Sequence, residues 1–166
     1  MNKRGQIFSW DLLIAVALFI FILMASLYMW EFYREKTELV DLRADMEFNA
    51  RNGMVSLLTT SGNPTNWNTQ PIFNVTSFGI VSGDFVLDEN KVSKFEEWNN
   101  TYYKEIKGSL GIRKYELYVD FLNASDVSLY KFGIESPISA NEVVRIERLA
   151  LMDGDIIRVV MEVWDG

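Results

Sequence analysis

The sequence predicts an α+β fold in which a long N-terminal membrane-spanning α-helix packs against a C-terminal antiparallel sheet of about four strands. An uninterrupted apolar run from Leu12 to Trp30 predicts the membrane span, because a helix of this length extends roughly 28 Å, close to the hydrocarbon thickness of a bilayer. The chain has no proline before Pro64, so the helix is expected to continue beyond the span. Alternating apolar residues and an Asp-Gly turn near the C-terminus predict the sheet.

Charges on the two sides of the apolar run predict its orientation. Lys3 and Arg4 precede it, whereas Glu31 to Gly166 carries 14 basic and 22 acidic residues. The positive-inside rule therefore places the N-terminus in the cytoplasm and the C-terminal domain outside the membrane. The run is longer than the apolar core of a cleavable secretory signal, and it ends in bulky residues instead of a small-residue cleavage site.

Asp11 stands at the edge of the span, where an ionised carboxylate is costly unless it has a partner. A cut between Gly5 and Gln6 would remove Lys3 and Arg4 and create an ammonium on Gln6. That ammonium could then pair with Asp11 of a neighbouring subunit. In the simpler alternative, the two basic residues only fix topology and Asp11 is an acid favoured by the helix dipole.

A basic-Gly-Gln start, followed by Ser9, Asp11, two leucines and a long apolar helix, resembles archaeal type IV pilin-like proteins with a class III type of signal peptide. Ser9 and Asp11 lie three and five residues after Gln6, one position further than in the family pattern. The resemblance implies that a prepilin peptidase cuts between Gly5 and Gln6. It also implies pairing of the Gln6 amine with Asp11 during assembly.

The domain organisation that follows is a cleaved leader at residues 1–5, a long helix at 6–60 with its membrane segment at 12–30, and an extracytoplasmic α+β domain at 61–166. The resemblance implies as partners the prepilin peptidase, other pilin subunits, a membrane assembly platform with its ATPase, and membrane lipid before assembly. The function expected is that of a pilin, minor pilin or pseudopilin. The alternative is an uncleaved, single-span surface receptor or adhesin.

The long helix is predicted from about Ser9 to Leu58, with charged residues spaced three or four apart beyond the span. A stripe of apolar or small residues on this helix is expected to cover the sheet. It consists of Leu39, Leu42, Met46, Gly53 and Leu57, with Val40, Ala44, Phe48, Val55 and Leu58 close to it. The segment Thr59 to Pro64 is expected to end the helix, with Gly62 in a left-handed conformation.

The region after the helix is predicted as a polar surface loop over Asn63–Phe78, with Trp67 folding back onto the helix. Short strands are expected near Gly79–Ser82 and Phe85–Leu87. Asp88 is a favourable N-cap for a helix that reaches about Trp98, and a second helix over Tyr102–Leu110 is expected to end at Gly111.

Three strands follow from pattern and turn chemistry. Tyr115–Asn123 alternates between apolar and polar residues. Val143–Leu151 and Ile156–Trp164 are rich in β-branched residues and flank Asp153-Gly154, a sequence typical of primed hairpin turns. A further strand is expected over Leu129–Ile134. These four strands form the predicted antiparallel sheet.

Composition argues against an enzyme. The chain contains no cysteine and no histidine, so thiolate chemistry, imidazole bases and the commonest metal ligands are excluded. Two acid pairs, Asp153 with Asp155 and Glu96 with Glu97, could serve acid–base or calcium chemistry, and a further group of oxygen ligands is Asp84, Asp88, Glu89 and Asn90. None of them matches a defined catalytic or calcium motif. We therefore expect no catalytic residue, no cofactor and no metal site. A net charge of −7 gives no electrostatic reason to bind nucleic acid.

Three sequons mark possible N-glycosylation sites at Asn74, Asn99 and Asn123. All three lie on the predicted outer side of the membrane.

Overall fold

A computed structural model describes residues 3–83 and 85–166, with the side chains of residues 10–34, 36–83 and 85–166. The chain divides into two compact units, of which the first ends at Leu42 and the second begins at Arg43. Helix α1, Lys3–Thr59, runs through both units and accounts for all of the described first unit. The fold is α+β, as predicted.

The second unit begins with the remainder of α1 and continues through two short 3-10 helices, Trp67–Thr69 and Ile72–Asn74. The elements that follow are strands β1 (Val81–Gly83) and β2 (Val86–Leu87), helices α2 (Glu89–Glu97) and α3 (Asn99–Ser109), and strands β3 (Glu116–Leu122), β4 (Ser128–Gly133), β5 (Val143–Met152) and β6 (Asp155–Trp164).

The sheet corrects the predicted strand count. In the described part of the chain six strands form one curled mixed sheet, in the order β1-β2-β5-β6-β3-β4. The four predicted antiparallel strands are all present as β5-β6-β3-β4. The two short strands add to the β5 edge, where Val86 pairs in parallel with Leu151 and the Leu151 N–H donates to the Phe85 carbonyl at 2.9 Å. A pairing between residues so distant in sequence leaves no local pattern, which is why it was missed.

The core lies on one face of the sheet, where alternate residues of β3 and β6 are completely or almost completely buried. The part of α1 in the second unit packs on this face through Met46, Ala50, Met54 and Leu57, each at most 1 % exposed. The predicted stripe was correct for Met46, Gly53, Leu57 and Leu58, which are buried. It was wrong for four residues that are more than half exposed, namely Leu39, Val40, Phe48 and Val55. Helical spacing from Met46 continues to Ala50 and Met54, so those two residues take the inward positions instead.

Turn chemistry was predicted well. Asp88 caps α2 by accepting from the backbone N–H groups of Asn90 and Lys91. Asp153 and Gly154 both have positive φ, at 54° and 91°, as a type I′ hairpin turn requires. Gly111 ends α3 with a φ of 83°. Helix α3 begins at Asn99, earlier than predicted, and bends at Tyr102, whose backbone is not helical.

The segment that follows α1 is held by two buried side chains. Trp67 is fully buried, its ring lies 5.1 Å from Phe78 and 5.6 Å from Trp98, and its Nε1 donates to the Gly79 carbonyl at 2.8 Å. Gly62 has a φ of 81°, and a Cβ at that position would lie 2.5 Å from the Trp67 ring. Only glycine therefore fits there.

Lys91 is the second of these side chains and is 5 % exposed. Its Nζ donates to the carbonyl oxygens of Ser61 and Val81, at 2.9 and 3.3 Å. Burial lowers the pKa of Lys91, and the nearby Asp88 carboxylate partly opposes that effect. The ammonium thus joins the end of the α1 region to strand β1.

Strand β4 lies at one edge of the sheet. The Lys131 N–H donates to the Glu96 carboxylate at 2.9 Å, and the Gly133 N–H donates to Asn99 Oδ1 at 2.7 Å. Side chains from α2 and α3 thus occupy two backbone donors of this edge.

Candidate functional site

The apolar part of α1 is the most distinctive chemical surface of the first unit. Every side chain from Trp10 to Arg34 is exposed, and none between Leu12 and Trp30 carries a charge. By length and composition this is the one helix in the described residues that could cross a membrane, and it lies near the N-terminus. Long apolar side chains covering a whole helix without any covering element are typical of a segment that contacts lipid or other helices.

Beyond Trp30 the same helix becomes polar. Arg34 lies 3.9 Å from Glu31 and 3.3 Å from Glu38, in pairs spaced three and four residues apart. Each exposed pair of this kind stabilises a helix by only a few tenths of a kcal/mol, about 0.2–0.5. The change from apolar to charged residues therefore defines a boundary and adds little to stability.

Aromatic and basic side chains meet at this boundary. Trp30, Tyr33, Arg34 and Thr37 line a shallow recess on the helix surface. Trp and Tyr rings at the end of an apolar helix match the aromatic belt of membrane interfaces.

Asp11 lies one residue before the apolar run and is exposed. Within the described side chains it forms neither a salt bridge nor a hydrogen bond. Gly5 and Gln6, the predicted cleavage residues, lie within the backbone of α1, but their side chains lie outside the described part. The predicted pairing between Gln6 and Asp11 joins two subunits and stays a prediction.

The three sequons differ in what their amide groups do. Asn123 Oδ1 accepts from the backbone N–H groups of Ser125 and Val127, and Asn99 Oδ1 accepts from Gly133. Asn74 is exposed at the end of a 3-10 helix, and its side chain forms no hydrogen bond within the described residues. Glycosylation modifies Nδ2 and leaves Oδ1 free to accept, so these hydrogen bonds do not distinguish the sites. Exposure does, because Asn74 is exposed whereas Asn99 and Asn123 are half-buried.

The acidic residues considered for chemistry have structural roles. Asp88 caps α2, and Asp153 forms the β5-β6 turn. Glu96 accepts from β4, and Glu97 pairs with Lys94 at 2.8 Å. Asp84 lies outside the described residues. Among the residues that are described, no three acidic side chains are placed to hold a metal ion.

A titratable cluster that the sequence did not predict joins α3 to the start of β3. Tyr103 Oη donates to Glu116 at 2.5 Å and accepts from the Leu117 N–H, and Lys107 Nζ lies 3.0 Å from Glu116. Burial, followed by the hydrogen bond to Glu116, raises the pKa of the Tyr103 hydroxyl. For Glu116 burial acts to raise the pKa, but the hydrogen bonds from Tyr103 and Lys107 outweigh it, so the pKa is lowered.

The cluster holds α3 against the sheet and lacks a nucleophile with an activating base. The four-residue spacing of Tyr103 and Lys107 places both on one helix face, and this was the available sequence signal. Nothing in the sequence indicated that Glu116 would lie opposite them.

Comparisons with known proteins add no assignment: no protein-family model, no curated protein and no solved structure matches the chain.

Proposed function

We propose that this protein is a structural subunit of a type IV pilus-like surface filament, processed by a prepilin peptidase and assembled through its N-terminal helix. The observation that carries the proposal is the exposed apolar part of α1, with the carboxylate of Asp11 at its N-terminal end. The Lys3-Arg4-Gly5-Gln6 sequence before it supplies the expected processing signal.

The carboxylate explains why processing and assembly would be coupled. Inside a lipid or helix environment an unpaired Asp11 is expensive, and a basic partner within the same membrane layer offsets that cost. Hydrolysis of the Gly5–Gln6 bond consumes one water and leaves a carboxylate on Gly5 and an ammonium on Gln6. The new ammonium then neutralises Asp11 of a neighbouring subunit, while loss of Lys3 and Arg4 removes the charges that retain the helix end in the cytoplasm.

Packing of the apolar helices would replace lipid contacts with helix contacts, which supplies little hydrophobic gain. An ATPase and an assembly platform in the membrane are therefore part of the proposal. The sheet domain, acidic overall, would form the outer wall.

The decisive measurement is the N-terminal residue of the protein from its native cell, by mass spectrometry of the terminal peptide. We expect Gln6 to be the first residue. Substitution Gly5→Val should block cleavage while membrane insertion stays normal, because the peptidase must accommodate the residue before the cut. Asn2→Val, which places the same side chain three positions further from the cut, is the matched control and should be cleaved normally.

Asp11 provides the second test. Asp11→Ala should be cleaved but should not enter extracellular filaments. A native protein that retains Met1 or Asn2 would instead indicate the permanently anchored receptor or adhesin and would overturn the proposal.

A further inference from the structure

The outward face of the sheet carries an apolar patch near the β5-β6 turn. Leu149, Leu151 and Ile156 are 65 %, 43 % and 56 % exposed. Leu151 pairs directly with Ile156, and Leu149 is two residues from Leu151 on the same face. We call these three residues the tip patch. No element of the described chain covers them.

Acidic groups surround the tip patch. Ile156 lines an open recess together with Glu89, Asp153 and Asp155. Glu89 accepts from the Tyr130 hydroxyl at 2.9 Å, whereas Asp153 and Asp155 form no salt bridge with any described side chain. Arg158, which pairs with Asp126, also borders Leu149 and Ile156. The rim of the tip patch therefore carries both signs of charge, with the negative charges of Glu89, Asp153 and Asp155 in excess.

The opposite end of the same sheet is basic. Lys104, Lys107 and Arg113 line an open groove together with one acidic side chain, Glu105. We call this the basic groove. Lys107 is buried and paired with Glu116, so the positive charge that faces solvent comes from Lys104 and Arg113. Lys107 shows where the basic groove lies relative to the sheet, because the Lys107 ammonium lies 3.0 Å from Glu116, the first residue of β3.

Strand register places the two surfaces at opposite ends of the sheet. Glu116 pairs with Trp164 at the end of β6, whereas Asp155 is the first residue of β6. Nine residue steps along a strand separate those two positions by roughly 30 Å. An apolar side chain also projects at the basic end, since Ile138 is fully exposed in the loop from β4 to β5.

We propose that the tip patch docks onto the basic-groove end of a second copy of this chain. The choice of a second copy rests on the proposed function, in which identical domains are held side by side. Charge complementarity sets the direction of the contact, because tip against tip would oppose acidic groups whereas tip against groove opposes acidic and basic groups. A contact that uses two different surfaces of identical subunits is heterologous. It builds an open filament when the rotation from each subunit to the next does not close a ring.

Cysteine cross-linking of the full chain in its native membrane tests the contact, and the absence of native cysteine removes background. Lys104→Cys and Asp155→Cys are made as single variants and expressed together, and the protein is oxidised on the cell surface. We expect a disulfide between the two different variants and none in cells that express either variant alone. A double Cys variant should give a ladder of oligomers. Ser93→Cys, on the exposed side of α2, replaces either partner as the control and should not cross-link.

Charge reversal provides a second readout on the same Cys pair. Arg113→Glu should lower the cross-linked fraction by about tenfold or more, because like charges face one another across the contact. Asp153→Lys in the other variant should restore it. Cross-linking at the level of the Ser93 control, or a disulfide only between two Asp155→Cys copies, would overturn the head-to-tail contact.

The N-terminal residue of the same samples separates this inference from the proposed function. Filaments whose subunits begin at Gln6 but give no Lys104–Asp155 cross-link would leave the filament function standing and overturn the contact. A cross-link between subunits that retain Met1 would support the contact and overturn the filament function.

Discussion

Substitution Trp67→Phe tests how the segment after α1 is held. The Trp67 ring is fully buried against Phe78 and Trp98, and its Nε1 donates to the Gly79 carbonyl at 2.8 Å. Phenylalanine keeps the aromatic contact but cannot donate. In the described residues the Gly79 carbonyl has no other donor, so the variant leaves a buried acceptor unpaired.

The expected loss has two parts. An unpaired buried acceptor costs about 1–3 kcal/mol. The smaller ring also leaves a gap, which adds about 1 kcal/mol. We therefore expect the free energy of unfolding of the second unit to fall by about 2–4 kcal/mol in total.

Urea unfolding of the full chain in detergent, followed by near-UV circular dichroism, measures this loss by linear extrapolation. Phe73→Ala is the matched control, because Phe73 is an aromatic residue of the same loop that is 82 % exposed. That variant should change the unfolding free energy by less than about 0.5 kcal/mol. A Trp67→Phe loss as small as that of the control would refute the assignment of Trp67 as the residue that holds this segment.

Three further predictions concern other contacts. Because the pKa of Glu116 is lowered by folding, its contribution to stability is complete above the unfolded pKa of 4.5 and is lost as the pH falls through the folded pKa. Glu116→Gln should therefore reduce the loss of stability at acid pH. An unchanged loss would contradict the role given to Glu116. The hydrogen bond between Tyr115 Oη and Asp45, at 2.5 Å, joins the residue before β3 to α1. A double-mutant cycle with Tyr115→Phe and Asp45→Asn should therefore give a coupling of about 1 kcal/mol, and a value near zero would contradict this role. Asn74 is the exposed sequon asparagine, so any N-linked glycan should be lost in Asn74→Gln and retained when either of the other two sequons is removed, as read from the intact mass. A glycan that survives Asn74→Gln would refute this choice.

Elements with a local signal could be predicted from the sequence. The β5-β6 hairpin follows from Asp153-Gly154 between β-branched runs, and α2 follows from the Asp88 cap. The parallel pairing of Val86 with Leu151 could not be predicted, because it joins residues 65 positions apart through backbone groups common to every residue. The same limit applies to Lys91, since helical spacing marks a position as inward-facing but does not reveal which carbonyls will receive an ammonium.

One part of the candidate site could likewise be predicted from the sequence, and another part could not. The exposed apolar part of α1 is visible in the composition of Leu12 to Trp30, because a run without charges is a property of sequence alone. In the proposed filament, the partner of Asp11 would be created by a cut that another protein makes, and it would belong to a neighbouring subunit. The tip patch and the basic groove depend on strand register, which brings residues from four separate segments to two ends of one sheet.

The occupied backbone donors of β4 affect how this edge of the sheet behaves when the protein is concentrated. A sheet edge with unpaired backbone groups can bind a strand from another molecule. Repeated strand addition leads to fibrils when the protein is concentrated. Glu96 and Asn99 take up the Lys131 and Gly133 donors, so an incoming strand would first have to displace a carboxylate and an amide. If copies are packed side by side, as in the proposed filament, a neighbour's strand would find two of the backbone donors of β4 already occupied. Contacts along this edge would then be made by side chains.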